Sequence, residues 1–188
     1  MIRSLLCMLT LLLASSAIAG PLPSNSIYQL DAPFTSQTGQ DFHLADNRGT
    51  PVLVAMFYTS CHDVCPLIID SAKGIEHGLQ PAESARLQIL MISLDPARDN
   101  VAALRSYAKK RQLNPAHWTL ARTGKADVRK LAALLGVRYR ALANGDFNHT
   151  SALFLLDGEG RVLDHSDRLG PVPDAAFLAA VRRAAAAR

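Results

Sequence analysis

Two cysteines four positions apart are the residues of this chain best suited to chemistry. Cys61 and Cys65 lie where an apolar stretch ends and Pro66 opens a predicted helix. A thiol pair held at the positive end of a helix can serve as a redox couple or as a clamp for a soft metal ion. The sequence therefore predicts that this segment contains the functional site.

A purely structural disulfide is the alternative to a redox or metal-binding pair, because an even number of cysteines in an oxidising compartment is typical of structural disulfides. A bridge between Cys61 and Cys65 would close a loop of only a few residues, so it would remove little entropy from the unfolded chain. The chain of 188 residues is also long enough to bury a core without a cross-link. Both considerations favour a redox or metal-binding pair.

The first residues predict export from the cytoplasm. Arg3 precedes an apolar run over residues 5–14, and the small residues Ala17 and Ala19 follow it in the pattern of a signal cleavage site. The run is shorter than the roughly 20 apolar residues that span a bilayer. We therefore expect residues 1–19 to be a cleaved secretory signal, with an uncleaved membrane anchor as the alternative.

Cleavage there would leave residues 20–188 as one domain in the periplasm or another extracytoplasmic compartment. Cys7 would leave with the signal, so the mature chain would keep only Cys61 and Cys65. The whole chain has a formal net charge of +4, and its basic residues are dispersed. The basic run 109–111 is the solvated end of a predicted helix, and we assign no nucleic-acid partner.

Strand and helix signals alternate along the rest of the chain. Near-continuous apolar runs and a hairpin turn at residues 157–160 predict strands at residues 51–58, 87–94, 152–156 and 161–165. Capping and stop residues predict helices at residues 66–79, 101–111, 125–135 and 174–187. A βαβ half followed by a ββα half indicates an α/β protein with a thioredoxin-like fold, an inserted strand-helix unit and an N-terminal edge hairpin over residues 28–44.

His149 is the third candidate ligand beside the cysteine pair. It precedes the predicted strand 152–156 at the end of a loop, and in a thioredoxin-like fold the segment entering this strand passes beside the cysteines. Two thiolates suit Cu(I), although zinc accepts them too. His62 lies between the cysteines but is predicted to point away from their shared face, so its role as a proton donor or secondary ligand stays open.

A thiol-disulfide oxidoreductase without a metal is the competing function. Placement at a helix start lowers the pKa of a cysteine, and the resulting thiolate serves disulfide exchange as readily as metal binding. A thioredoxin-type peroxidase is disfavoured, because the Pro-x-x-x-Thr-x-x-Cys pattern is missing around both cysteines. A closed structural zinc site is disfavoured too, because two thiolates and one imidazole leave its fourth position empty.

Three motifs of the chain resemble the Sco (SenC) copper-chaperone family. They are Tyr-Thr-Ser-Cys-x-x-x-Cys-Pro at residues 58–66, Ser-Leu-Asp-Pro-Ala-Arg-Asp at 93–99, and His-Thr leading to Leu-Asp-x-x-Gly at 149–160. The resemblance covers essentially all of the predicted mature chain. It implies a thioredoxin-like fold that binds copper, as Cu(I) or Cu(II), through two cysteines and one histidine, which here are Cys61, Cys65 and His149.

The resemblance further implies service in assembling the dinuclear copper A centre of cytochrome c oxidase, by delivering copper or by reducing the cysteines that receive it. The partner would be the copper-receiving subunit of the oxidase, with other periplasmic copper chaperones or thiol reductants alongside. Whether a reductase activity makes the protein an enzyme stays open at this point. Asp95 is placed to orient a ligand or to help bind a partner, with a turn-forming role before Pro96 as the alternative.

Overall fold

The computed structural model describes residues 20–187, so the predicted signal peptide at residues 1–19 lies outside the described residues. Short strands and helices alternate along the described chain. The strands are β1 (Phe34–Ser36), β2 (Asp41–Phe42), β3 (Val52–Phe57), β4 (Gln88–Ser93), β5 (Trp118–Arg122), β6 (Tyr139–Ala141), β7 (Phe147–His149), β8 (Leu153–Leu156) and β9 (Val162–Ser166).

Helices connect these strands. They are α1 (Val64–Gly78), α2 (Pro81–Ser84), α3 (Val101–Lys110), α4 (Lys125–Leu134) and α5 (Ala175–Ala186), with two 3-10 helices at Ile27–Gln29 and Leu44–Asn47. The four that were predicted, α1, α3, α4 and α5, end close to their predicted limits. Asn100 caps α3 by accepting from the Ala103 amide, and Asp174 caps α5. Among residues 20–187, none of the helices has the length and apolar character needed to cross a bilayer.

Seven strands form one mixed sheet in the order β2-β1-β5-β4-β3-β8-β9. β3, β4 and β5 run parallel to one another, while β8 pairs with β3 and β9 pairs with β8 in antiparallel fashion. The βαβ half is β3-α1-β4 and the ββα half is β8-β9-α5, with β5 and α4 inserted between them. The hairpin of β1 and β2 covers the edge beside β5, so the predicted architecture is confirmed.

Apolar side chains cover both faces of the sheet, because successive residues of a strand point to opposite sides. Leu53 and Phe57 of β3 pack in a core with α1, α3 and α5, whereas Val54 and Met56 pack in a second core with α4 and the N-terminal segment. Trp118, the chain's single tryptophan, is buried in the first core and donates from Nε1 to a Glu76 carboxylate oxygen of α1 at 2.9 Å.

A second sheet, formed by β6 and β7 alone, was not predicted from the sequence. Its two strands have three residues each and are joined by residues 142–146, with Gly145 at a φ of +87°. The Leu142 amide donates to the Asp146 carbonyl at 2.7 Å, which closes the turn. The segment expected as a loop before β8 is therefore a hairpin, and this hairpin carries His149.

Candidate metal and thiol site

The two cysteines lie where β3 passes into α1, as the sequence predicts. Cys61 sits in the turn after the strand, and its amide donates to the Tyr58 carbonyl at 3.3 Å. Cys65 lies in the first turn of α1, and its amide donates to Cys61 Sγ at 3.3 Å. Both are free thiols. Cys61 exposes 6% of its surface and Cys65 exposes none, so an approaching molecule meets the Cys61 sulfur first.

The hairpin brings His149 to the buried cysteine. Its Nε2 lies 3.8 Å from Cys65 Sγ, and its Nδ1 lies 3.0 Å from the Thr150 carbonyl oxygen. The sequence placed this histidine in a loop, and the structure corrects that placement, because His149 is the last residue of β7 and pairs with Tyr139 of β6. A strand fixes the direction of the imidazole more firmly than a loop would.

The hydrogen bond to Thr150 selects one tautomer of His149. A carbonyl oxygen can only accept, so Nδ1 carries the proton and Nε2 keeps its lone pair towards Cys65. Burial lowers the pKa of His149, against a smaller opposing effect of the Thr150 carbonyl, so the imidazole is neutral at neutral pH. Histidines that bind metals almost always donate from their second ring nitrogen in this manner.

The three candidate ligands are close in pairs but do not yet surround one point. Among residues 20–187, no three histidine, cysteine, aspartate or glutamate side chains are grouped tightly enough to hold a metal ion as they stand. The sulfur of Cys61 accepts a hydrogen bond from the Cys65 amide. The donor set itself, two sulfurs and one neutral imidazole nitrogen, is the set that soft metal ions prefer.

Hydrogen bonds to the Cys61 sulfur favour its thiolate form. Burial alone would raise the pKa of Cys61, but donors from Cys65, from the Asp63 amide and from the Tyr58 hydroxyl outweigh it, so that the pKa is lowered. The pKa of Tyr58 is raised to about 12, chiefly by burial, so the hydroxyl keeps its proton. The Tyr58 oxygen also accepts from the Phe147 amide at 3.3 Å and thereby links the hairpin to the cysteine turn.

Cys65 has the opposite tendency, although it is the cysteine within the helix. Complete burial raises its pKa, and the neighbouring Cys61 and the carboxylate of Asp99 raise it further. The expectation that placement at the helix start produces the thiolate is therefore wrong for this residue, because burial outweighs the helix dipole. The lowered pKa belongs to Cys61 instead, four residues before it.

The carboxylate that organises the cysteine turn is Asp99. Asp99 is fully buried and accepts from the Thr59 amide at 3.1 Å, from the Thr59 hydroxyl at 2.5 Å and from the Ser93 hydroxyl at 2.5 Å. Asn100 caps α3, which leaves Asp99 free to turn inward. The only sequence signal for this role was its position in the motif at residues 93–99.

Asp95 lies close by but holds a different part of the site. Its carboxylate pairs with Arg98, and Arg98 also donates to the carbonyl of Gly145 in the turn between β6 and β7. Asp95 thus acts on the hairpin through Arg98, and its own amide donates to the Ser93 hydroxyl at 2.9 Å. His62 is exposed, and among residues 20–187 its side chain forms no hydrogen bond or ion pair.

The sequence of this chain matches known proteins over most of its length. The SCO1/SenC family model matches residues 24–186. The SCO2 homolog of Danio rerio mitochondria is 30% identical over 149 residues, which are 69% of this chain and 51% of that protein. The chain thus spans about half the length of this relative. An SCO2-like protein of Rickettsia felis is 28% identical over 143 residues, or 72% of this chain and 67% of that protein.

Solved structures share the fold. Bradyrhizobium japonicum ScoI with copper bound superposes with a TM-score of 0.68 at 23% identity, covering 81% of this chain and 96% of that one. The family model accounts for nearly all of the described residues, and the sheet order, the cysteine turn and the histidine hairpin lie within the matched range. The chain therefore belongs to the SCO1/SenC family.

Proposed function

We propose that this protein binds copper through Cys61, Cys65 and His149 and assists assembly of the copper A centre of cytochrome c oxidase. The observation that carries the proposal is the aim of His149, whose unprotonated Nε2 faces Cys65 Sγ at 3.8 Å while Nδ1 is held by the Thr150 carbonyl. ScoI of Bradyrhizobium japonicum has been solved with copper bound. BsSco is described as a member of the Sco family of cytochrome c oxidase assembly proteins.

Copper is the cargo in this proposal, and loading it requires a small rearrangement. The Cys61 sulfur must leave the hydrogen bond from the Cys65 amide and turn towards the metal, because the three donors do not yet converge. Cys65 must also lose its proton, since only the thiolate is a good ligand. The raised pKa of Cys65 therefore makes copper affinity increase with pH.

The competing proposal is reduction of a disulfide in the protein that receives copper. The unlike thiols favour it, because the pKa of Cys61 is lowered while Cys65 is buried and keeps its proton. The Cys61 thiolate would attack the target disulfide and form a mixed disulfide. Cys65, after losing its proton, would then displace the target thiol and leave a Cys61–Cys65 disulfide, so that two electrons pass to the target.

An anaerobic titration of the reduced protein with Cu(I) tests the main proposal. We expect tight binding at one equivalent per chain, and no binding after Cys61 and Cys65 have been oxidised to a disulfide, because only free thiolates act as ligands. A matched titration of Cys61→Ala should show the same loss without oxidation. Copper retained by fully oxidised protein with no free thiol would refute the site. Weak copper binding beside rapid dithiol exchange would favour the reductase.

A further inference from the structure

A cavity of about 670 Å³ opens at the edge of the sheet where β4 and β5 end. Its walls are residues 94–97, which follow β4, residues 122–125, which run from the end of β5 to the start of α4, and parts of α4 and the β6–β7 hairpin. None of the three candidate copper ligands lines it. Its volume falls within the roughly 300–1,000 Å³ that small-molecule sites occupy.

The topology of the sheet explains why an opening lies here. After β4 the chain passes to α3, whose Leu104 packs in the core on one face of the sheet. After β5 it passes to α4, whose Leu131 packs in the core on the other face. Two neighbouring parallel strands that lead to opposite faces leave a crevice beyond their carboxyl ends, and α/β proteins bind ligands in such crevices.

Three cationic side chains line this crevice without an acidic partner. They are Arg122 at the end of β5 and Lys125 and Arg129 of α4. Lys125 and Arg129 are four residues apart and so share one face of the helix. Within residues 20–187 none of the three takes part in an ion pair. Arg122 is directed into the crevice wall by its hydrogen bond to the Pro96 carbonyl at 2.8 Å.

Two acidic side chains beside this crevice are paired with basic residues that do not line it. Asp95 lines it but is paired with Arg98. Asp127, beside the first turn of α4, is paired with Lys130 at 2.8 Å. Arg122, Lys125 and Arg129 are therefore left without an ion-paired acidic partner, and all three line the same crevice.

The opposite wall of the crevice is aromatic. Tyr139 of β6 and Phe147 of β7 both line it, with their ring centroids 6.2 Å apart. Leu94 and Pro96 extend the same apolar surface. A ligand that fits this crevice therefore combines a negative head group with a flat or apolar body.

We propose that this crevice binds a small organic anion. Its carboxylate or phosphate group lies among Arg122, Lys125 and Arg129, and its apolar body lies against Tyr139 and Phe147. The proposal stands independently of copper binding, because the crevice and the cysteine site share no candidate ligand. It is therefore tested on the reduced, metal-free protein.

Titration of the chain comprising residues 20–188 with benzoate and with phenyl phosphate, followed by amide chemical shifts in NMR, tests the proposal. We expect saturable shifts at the amides of Gly124 and Lys125 with at least one of the two anions, and none with neutral benzyl alcohol. The double variant Lys125→Glu/Arg129→Glu should weaken binding by about tenfold or more, because it turns attraction into repulsion at the head group. Both side chains are exposed, so the core is not disturbed.

The matched control is Lys109→Glu/Lys110→Glu, which makes the same change of charge at the exposed end of α3, away from the crevice. Its affinity for the anion should equal that of the wild type. Comparing the affinities of benzoate and phenyl phosphate shows which head group the crevice prefers. Tighter binding of benzoate indicates a carboxylate, and tighter binding of phenyl phosphate indicates a phosphate. Three results overturn the proposal: no saturable shift with either anion, shifts confined to other surfaces, or equal affinities for the two double variants.

Discussion

The two sulfurs of the site have unlike surroundings, although they are only four residues apart. Cys61 accepts hydrogen bonds, lies at the surface edge and has a lowered pKa, whereas Cys65 is fully buried and has a raised pKa. His149 faces the buried one. A metal ion bound here would thus have Cys65 and His149 on its buried side. Cys61 would lie between it and the solvent.

Replacing His149 separates copper binding from thiol exchange. We expect His149→Ala to weaken copper binding by more than about 100-fold, since even the loss of an outer partner of a ligand costs about 10–100-fold. The variant should also lose the thiolate-Cu(II) absorption and keep its Cys61–Cys65 exchange, which needs no imidazole. His62→Ala is the matched control, because His62 is exposed beside the cysteines. Copper A assembly that persists in cells after the affinity of His149→Ala has collapsed would support the reductase instead.

The Tyr58 hydroxyl gives the site a measurable pH dependence. In the wild type the lowered pKa of Cys61 means that the thiolate, and with it alkylation by iodoacetamide, appears at a lower pH than for an ordinary thiol. Tyr58→Phe removes one donor, so the pKa of Cys61 should rise and the pH profile should move upward. Tyr139→Phe, which removes a hydroxyl elsewhere on the hairpin, should leave the profile in place.

The chemistry of the candidate ligands could be predicted from the sequence, while their supporting residues could not. A cysteine pair at a strand-to-helix junction is a local pattern, and His149 follows from the position of one strand in a known order of elements. Asp99 contacts Thr59 across 40 positions of sequence, and no local pattern records such a contact. Whether Cys61, Cys65 and His149 bind copper together stays a prediction.

At the scale of elements, the hairpin of β6 and β7 is the part that places the third ligand. Two hydrogen bonds connect it to the rest of the site: the Phe147 amide donates to the Tyr58 hydroxyl oxygen, and Arg98 donates to the Gly145 carbonyl. A third, from the Thr150 amide to the Arg138 carbonyl at 2.8 Å, closes the base of the hairpin itself. The hairpin is therefore held at its turn, in its second strand and at its base.

The hairpin escaped prediction because its strands are too short to show a period. Each has three residues and is at most half buried, so alternation of apolar and polar residues is not visible. One signal was present, since Asn144-Gly145 is a common hairpin turn and Gly145 has a φ of +87°. The long strands β3 and β4, by contrast, are fully or almost fully buried and were predicted within one residue of their limits.

Asp99 joins the cysteine turn to the end of β4, and removing it should loosen both. Asp99→Ala leaves the Thr59 amide, the Thr59 hydroxyl and the Ser93 hydroxyl without their acceptor, so we expect a loss of about 2–4 kcal/mol in the free energy of unfolding. Urea denaturation followed by circular dichroism measures it. Asp41→Ala, which removes an exposed hydrogen bond to Thr35, should change stability by less than about 0.5 kcal/mol. Equal effects of the two variants would contradict the structural role of Asp99.

At the scale of the whole molecule, the N-terminal segment of the described chain is hydrogen-bonded to the turn between β8 and β9. Ser26 donates to the Glu159 carbonyl at 2.5 Å, and the Ile27 amide donates to the Gly160 carbonyl at 2.9 Å. Gly160 has a φ of +76°, and a Cβ there would lie 2.5 Å from the Tyr28 ring. The turn between β8 and β9 thus requires glycine in order to receive this N-terminal segment.

This attachment is compatible with removal of everything before residue 20. Because the packed residues begin at Leu22, cleavage after Ala19 would leave the packed segment whole. We expect the exported protein to begin at Gly20, and intact mass measurement of the extracytoplasmic form checks this. Recovery of the uncleaved chain in a membrane fraction would show that residues 1–19 serve as an anchor.

The fluorescence of the buried Trp118 reports on whether the core of the protein is folded. An indole in an apolar core emits at shorter wavelength than one in water, and the chain has a single tryptophan, so its emission comes from one place. Its Nε1 donates to Glu76 of α1, the helix that begins at the cysteine pair. Fluorescence at this position therefore distinguishes a variant that has lost a ligand from one that has lost its fold, without any label attached to the protein.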